Sequence, residues 1–249
     1  MATFKDNFSK QSDIYLKYRP HYPIELYTYL SSLTKEHQLA WDCGTGNGQA
    51  ATGLAEFYKQ VIATDPSEQQ IKNAIANNKV KYLVEKAEST SINSNSIDLL
   101  TIANALHWFD FDAFYKEAKR VLKNKGVIAA WAYGPPSVSP EVDKWIMHFH
   151  NEILDAYWLA ENRLVEKEYT SIPFPFQPIS CPEFFSEKEM NLYDLIGYLN
   201  TWSATQRFIT ERNFNPTDQL LDQLKMVWKD PYAVKKLKWK LTLKAGRVA

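Results

Sequence analysis

The sequence predicts an α/β fold, with a doubly wound sheet, helices on both faces and a helical cap insertion. Apolar runs typical of buried strands alternate with apolar stripes of helical spacing along residues 24–133. The first run ends in an acid and a glycine-rich turn, which is typical of a strand that leads into a ligand-binding loop. The fourth run is almost continuously apolar, as expected of a central strand covered on both faces.

Each element is predicted from the period of its apolar residues, which is two in strands and close to 3.6 in helices. The last strand alternates leucine and tryptophan with lysine, so one of its faces is polar. The strands placed in this way lie at residues 39–42, 60–65, 80–84, 97–103, 127–133 and 237–243. The helices lie at residues 24–33, 50–58, 71–75, 111–122, 142–157, 192–202 and 221–228.

The composition favours a protein that acts on small molecules. Of 249 residues, 29 are Lys or Arg and 29 are Asp or Glu, so no excess of basic charge indicates binding to nucleic acid or to an anionic membrane. No apolar run approaches the roughly 20 residues that span a bilayer. Two cysteines make no disulfide framework, and the polar N-terminus lacks the layout of a signal peptide. We therefore expect a cytoplasmic protein, as a monomer or a homodimer.

The glycine-rich turn after the first strand predicts a cofactor site. Gly44, Gly46 and Gly48 alternate there, and glycine allows both positive φ and a close approach of the backbone to a ligand. A dinucleotide-binding turn carries a small residue where this chain has Gln49. Asp42 precedes the first glycine, and a carboxylate suits a ligand with an ammonium group and a sulfonium better than a pyrophosphate. An NAD-dependent oxidoreductase and a non-catalytic cofactor-binding protein remain alternatives.

The pattern D-x-G-x-G-x-G after an apolar strand resembles motif I of the class I S-adenosylmethionine-dependent methyltransferases. The resemblance implies a Rossmann-like, doubly wound, seven-stranded methyltransferase sheet and S-adenosyl-L-methionine as the cofactor. Asp65 ends the second strand, where such folds place a carboxylate that binds the ribose hydroxyls. A helix N-cap is the alternative role for Asp65. The expected cofactor-binding residues are Tyr15, Arg19, Asp42, Gly44, Thr45, Gly46, Gly48, Asp65, Ser67, Gln70, Ala87, Glu88 and Asn104.

The N-terminal segment resembles the lid of a methyltransferase subgroup that includes the trans-aconitate methyltransferases. The resemblance lies in Tyr15, Tyr18 and the run Arg19-Pro20-His21-Tyr22-Pro23. It implies that one of the two tyrosines closes over the cofactor, and that Arg19 faces the methionine carboxylate or an anionic substrate. The alternative is that the tyrosines belong to the core and Arg19 to a surface ion pair.

The segment after the fourth strand resembles the His-Trp-Phe motif of the same subgroup. His107 and Trp108 are the candidate catalytic residues, with His107 as the base if the acceptor carries a proton and Trp108 as a pocket wall facing the sulfonium. Packing roles are the alternative for both. A carboxylate acceptor is already ionised and needs no base. We expect methyl transfer to a small molecule such as a carboxylate, with no metal.

The whole chain is predicted as a single methyltransferase domain over residues 1–249. Its parts are an N-terminal lid at 1–23, a cofactor-binding core at 24–133, a cap insertion at 135–190, and C-terminal helices with a closing strand at 191–249.

Overall fold

The described part of the chain, residues 17–248 of a computed structural model, forms an eight-stranded mixed sheet. The strand order is β3-β2-β1-β4-β5-β8-β6, and β7 pairs with β8 beside β6. Strands β1 to β5 are parallel, while β8 runs antiparallel to β5, and β6 and β7 run antiparallel to β8. The strands are β1 Leu39–Cys43, β2 Gln60–Asp65, β3 Val80–Val84, β4 Ile97–Ala103, β5 Leu122–Tyr133, β6 Gln177–Ile179, β7 Phe184–Met190 and β8 Lys235–Arg247.

Helices cover both faces of this sheet, which confirms the predicted fold class. They are α1 Ile24–Ser32, α2 Gln49–Leu54, α3 Glu68–Lys72, α4 Phe111–Val121, α5 Pro140–His148, α6 Asn162–Glu166, α7 Leu192–Asn200, α8 Ser203–Arg212 and α9 Thr217–Trp228. None of the helices between residues 17 and 248 has the length and apolar character needed to cross a bilayer.

The central strand β4 behaves as its sequence predicts. Its first six residues are buried, and successive side chains enter different apolar clusters: Leu99 packs in the cluster on one face of the sheet and Leu100 in the cluster on the other. The strand order reverses between β1 and β4, because β2 and β3 extend to one side of β1 while β5 lies beyond β4. In such sheets ligands bind in the crevice at the carboxyl ends of the strands where the order reverses.

The segment at 135–190, expected as a helical cap, also contributes two strands to the sheet. Strand β7 alternates buried Phe184, Ser186 and Met190 with more exposed residues between them, as a half-buried strand does. Strand β6 contains Pro178, which an edge strand tolerates because no ladder hydrogen bond is needed on its outer side. The sheet therefore has one strand more than the predicted seven.

The long helical stripe predicted for 142–157 is divided into three pieces. Helix α5 passes into a π-helical turn at Phe149–Ile153 and then into a 3₁₀ turn at Asp155–Tyr157. The π turn buries His150 between two tryptophan rings, Trp158 and Trp202. Such turns occur often beside functional sites.

Candidate active site

The glycine-rich loop is anchored to the second strand and leaves one glycine open. The N–H groups of Gly44 and Thr45 both donate to the carbonyl of Thr64, at 2.8 and 2.9 Å. A Cβ on Gly44 would lie 2.6 Å from the Cβ of Ala105. A Cβ on Gly46 would meet only Gln70 Oε1, at 3.9 Å, although its φ is +55°. Gly46 therefore leaves space in which a ligand can approach the backbone closely.

Asp42 lies beneath this loop. Thr45 Oγ1 donates to Asp42 Oδ2 at 2.5 Å and Thr101 Oγ1 donates to Oδ1 at 2.9 Å. Burial raises the pKa of Asp42 to about 6, although both hydroxyls stabilise the ionised form. The side chain has no exposed surface, and Asp42 supports the loop through these two bonds. Its contact with the ammonium group of the cofactor stays a prediction.

Asp65 stands at the carboxyl end of β2, directly beside the open glycine. Its Oδ2 accepts from the Gly46 N–H and its Oδ1 from the Ser67 N–H, both at 2.9 Å. Helix α3 is capped by Ser67, whose Oγ accepts from the Gln70 N–H at 3.3 Å. The N-cap of this helix is therefore Ser67 and not Asp65, for which this was the alternative role. A carboxylate oxygen can accept more than one hydrogen bond, so hydrogen bonds from ligand hydroxyls to Asp65 stay a prediction.

The turn after β3 connects with the segment that follows β4. Ala87 is buried, and Glu88 Oε1 accepts from the Asp110 N–H at 3.1 Å. This bond joins two loops at the carboxyl edge of the sheet. The contact of these two residues with adenine stays a prediction.

The chain leaves β4 through a strained residue. Asn104 has a φ of +58°, which is uncommon outside glycine, and its N–H donates to the Trp131 carbonyl at 2.7 Å. A 3₁₀ turn at Leu106–Trp108 follows and brings His107 and Trp108 to the same edge of the sheet. Residues in such conformations cluster at binding sites, where the surrounding structure holds them.

His107 is buried against Tyr169. Its Nδ1 lies 2.9 Å from Tyr169 Oη, and its ring centroid lies 4.8 Å from that of Trp108. Burial lowers the pKa of His107 to about 3, because the charged imidazolium would lose its hydration there. The ring is therefore neutral near pH 7 and is a weak base.

A cavity of about 130 Å³ opens at this edge of the sheet. Its aromatic walls are Trp108, Tyr133, Trp158, Tyr198 and Trp202, and its polar lining includes Arg19, Asn104, His107, His150, Asn162, Glu166 and Ser203. Arg19 Nε donates to Thr201 Oγ1 at 3.0 Å and Nη2 donates to the Thr201 carbonyl at 3.2 Å. The guanidinium lies 5.2 Å from the centre of the Tyr198 ring. The cavity thus combines apolar walls with one fixed cation.

Comparisons with known proteins decide the family. A family model described as a methyltransferase domain matches residues 41–130. A protein of Dictyostelium discoideum, named provisionally as a methyltransferase, is 35% identical over 230 residues, which cover 91% of this chain and 88% of the relative. The chain belongs to the class I S-adenosylmethionine-dependent methyltransferases.

The solved structures agree with this assignment. A structure from Anaeromyxobacter dehalogenans, described provisionally as a type II methyltransferase, superposes with a TM-score of 0.87 at 36% identity, covering 92% of this chain and 97% of the other. A Saccharomyces cerevisiae protein, provisionally named an S-adenosylmethionine-dependent methyltransferase, is 27% identical over 139 residues, or 52% of this chain and 48% of the relative. The alternative hypothesis of an NAD-dependent oxidoreductase is therefore rejected.

The residues of this methyltransferase fit S-adenosylmethionine. The open side of Gly46 and the carboxylate of Asp65 lie next to each other, as a ribose-bearing ligand against the loop requires. Gln70 lies over the same glycine. When bound, the cofactor supplies a methyl group that is already activated on a sulfonium. Tyr15 lies outside the described residues, and Tyr18 packs against α7, where a Cβ on Gly197 would collide with its ring.

Several residues of the methyltransferase cavity carry no signal in the sequence that separates them from the core. Tyr198 and Trp202 lie in the helix predicted at 192–202, and neither they nor His150 were predicted as site residues. Tyr169 was not predicted at all, because it meets His107 across 62 positions of the chain. Between residues 17 and 248, no group of three or more His, Cys, Asp or Glu side chains could hold a metal ion.

The buried Asp42 gives a pH dependence to the stability of this methyltransferase. Because its folded-state pKa of about 6 lies above the ordinary 3.8, the folded protein binds this proton more tightly than the unfolded chain does. The stability from this group is present below about pH 4 and is lost, by about 3 kcal/mol, as the pH rises through about 6. We expect Asp42→Asn, which has no charge to bury, to lack this component. Urea unfolding of both proteins from about pH 4 to 8 measures it, and a difference that stays constant with pH would contradict it.

Proposed function

We propose that this methyltransferase transfers the methyl group of S-adenosylmethionine to the ionised carboxylate of a small organic acid. The observation that carries the proposal is Arg19, a fixed guanidinium in an aromatic cavity at the carboxyl ends of β4 and β5. Such a group binds planar anions well, and aromatic walls accept the apolar part of an acid. The zero net charge and the small cavity support a small molecule over a nucleic acid.

The environment of His107 supports an acceptor that has lost its proton before it binds. A base with a pKa of about 3 takes a proton from a hydroxyl only at a large cost in free energy. A carboxylate is ionised near pH 7 and requires no such step. The cofactor would supply the activated methyl group to the carboxylate oxygen and leave as S-adenosylhomocysteine, and the residues of the chain would have no proton to move.

The residues of the chain contribute position and exclusion of water to this reaction. Arg19 orients the acid, and the rings of Trp108 and Trp158 cover the cavity, so that the reacting atoms are held together in a dry site. Trp108 lines the cavity, and the face of its ring would attract the sulfonium of the bound cofactor. Both cysteines are free thiols, which suits the reducing cytoplasm that we propose as the compartment.

A paired panel of acceptors tests the proposal. We expect release of S-adenosylhomocysteine with small carboxylic acids and none above background with the matching primary alcohols. Calorimetry with S-adenosylhomocysteine gives the control, since the cofactor site is expected to bind it whichever acceptor is used. Release with alcohols or amines in place of acids would contradict the proposed acceptor class and leave the cofactor unaffected.

A further inference from the structure

The partner of His107 is held in a conformation that a tyrosine rarely adopts. Tyr169 is fully buried, and both it and Glu168 have positive φ, at +56° and +50°. The Lys244 ammonium donates to the carbonyls of Tyr169, at 2.5 Å, and Ile172, at 3.3 Å, and so fixes this turn. A strained turn of this kind persists only where surrounding contacts hold it. These contacts place the Tyr169 hydroxyl against Nδ1 of His107.

The direction of that hydrogen bond follows from the burial of the hydroxyl. Burial raises the pKa of Tyr169 well above its ordinary value, so the phenol keeps its proton. Tyr169 has no exposed surface, and among the described residues His107 Nδ1, 2.9 Å from Oη, is the acceptor that lies in reach of that proton. A buried O–H without an acceptor would be costly in free energy. Tyr169 therefore donates to Nδ1, and the single proton of the neutral ring lies on Nε2.

The remaining nitrogen belongs to a side chain that lines the cavity. His107 is part of the cavity lining, and within the described chain Nε2 has no hydrogen bond yet is not sealed from solvent. An Nε2–H group in that place is a donor aimed at whatever the cavity binds. Its direction is fixed, because Nδ1 is tied to Tyr169 and the ring packs on Trp108.

We propose that Tyr169 is a positioning residue that fixes His107 as the Nε2–H tautomer, so that His107 donates a hydrogen bond to the anionic oxygen of the methyl acceptor. The role of His107 rests on the proposed function, because the acceptor named here is the carboxylate proposed there. In this role His107 does not remove a proton from the acceptor. It stabilises the acceptor in its bound position. The tautomer itself is a property of the protein alone and can be measured without any acceptor.

Nitrogen-15 NMR of the histidine rings tests the tautomer in the protein without ligand. The His107 signals are those missing from the spectrum of His107→Gln. We expect a neutral ring protonated on Nε2 throughout the range from about pH 6 to 8 in the wild type. In Tyr169→Phe we expect a mixture of both tautomers. A wild-type ring protonated on Nδ1, or one that becomes charged near pH 6, overturns the proposal.

Tyr115→Phe is the matched control for the tyrosine. Tyr115 is buried in the same apolar cluster as Tyr169, and its hydroxyl has no hydrogen-bond partner among the described residues. The same atom is therefore removed from a neighbouring ring without touching the imidazole. We expect the His107 tautomer to be unchanged in this variant. An equal change in both tyrosine variants would mean that Tyr169 acts only through packing, which overturns the positioning role.

Two replacements of His107 test the donor. Glutamine places an amide N–H near the position of Nε2, whereas asparagine places it near that of Nδ1. With the most active acid of the acceptor panel, we expect His107→Gln to keep kcat within about tenfold and His107→Asn to fall at least about tenfold further. Equal rates in the two variants overturn the donor role. If no acid in the panel is methylated, the proposed acceptor class fails, and the tautomer measured by NMR still decides the role of Tyr169.

Discussion

Asp65→Ala is expected to weaken binding of S-adenosylhomocysteine about 100-fold while the protein stays folded. The wild-type carboxylate lies beside the open face of Gly46, and a carboxylate can accept hydrogen bonds from the two hydroxyls of a ribose. Hydrogen bonds to a charged group contribute about 1.5 kcal/mol each, and two of them correspond to roughly this loss of affinity. Calorimetry with the wild type and the variant measures the change.

The structural part of the Asp65 effect can be separated from binding. Alanine also leaves the N–H groups of Gly46 and Ser67 without their acceptor, which we expect to cost about 1–2 kcal/mol of unfolding free energy. Asp65→Asn keeps one oxygen and is expected to bind with intermediate affinity. Glu85→Ala is the matched control, because it removes an acid beside the next strand end whose Oε2 accepts from the Ser91 N–H. An Asp65→Ala variant that binds like the wild type would refute the ribose contact.

The parts of the site that depend on local sequence are those that could be predicted. The glycine-rich turn, the apolar run of β4 and the acid at the end of β2 each lie within a few consecutive residues, where period and turn chemistry are visible. The structure brings them to one edge of the sheet because the strands are parallel. The sequence thus predicted the fold class and the cofactor, while the residues that bind the cofactor at this edge stay a prediction.

Features that depend on contacts between distant segments could not be predicted in this way. Thr101 lies 59 positions from Asp42, and the hydrogen bond from its hydroxyl to the buried carboxylate could not be seen in the local sequence. Strand β7 pairs with β8 across about 50 positions, so its short alternating pattern in a proline-rich region gave no indication of a partner. The cavity is likewise built from β4, β5, the segment after α5 and the start of α8, which only the folded chain brings together.

Arg19→Gln is expected to raise the KM for the acid acceptor about 100-fold and to leave the KM for S-adenosylmethionine within about twofold. The guanidinium is held by two bonds to Thr201 and stacks on Tyr198, so it is oriented before the acceptor binds. Loss of a charge-assisted, two-pronged contact in a partly dry cavity corresponds to an effect of this size. Arg19→Lys keeps the charge without the planar fork, and we expect an intermediate KM.

The sequence allows two roles for Arg19, and they differ in which KM the substitution raises, that for S-adenosylmethionine or that for the acceptor. If the guanidinium binds the methionine carboxylate, its removal raises the KM for S-adenosylmethionine and weakens binding of S-adenosylhomocysteine, whichever acceptor is present. If it binds the acceptor, both cofactor quantities stay near their wild-type values, because the cofactor makes no contact with it. Arg212→Gln is the control: that guanidinium bonds the Tyr157 hydroxyl outside the cavity lining, and its loss is expected to change neither constant. A rise in the cofactor KM alone would therefore assign Arg19 to the cofactor and remove the main support for an acidic acceptor.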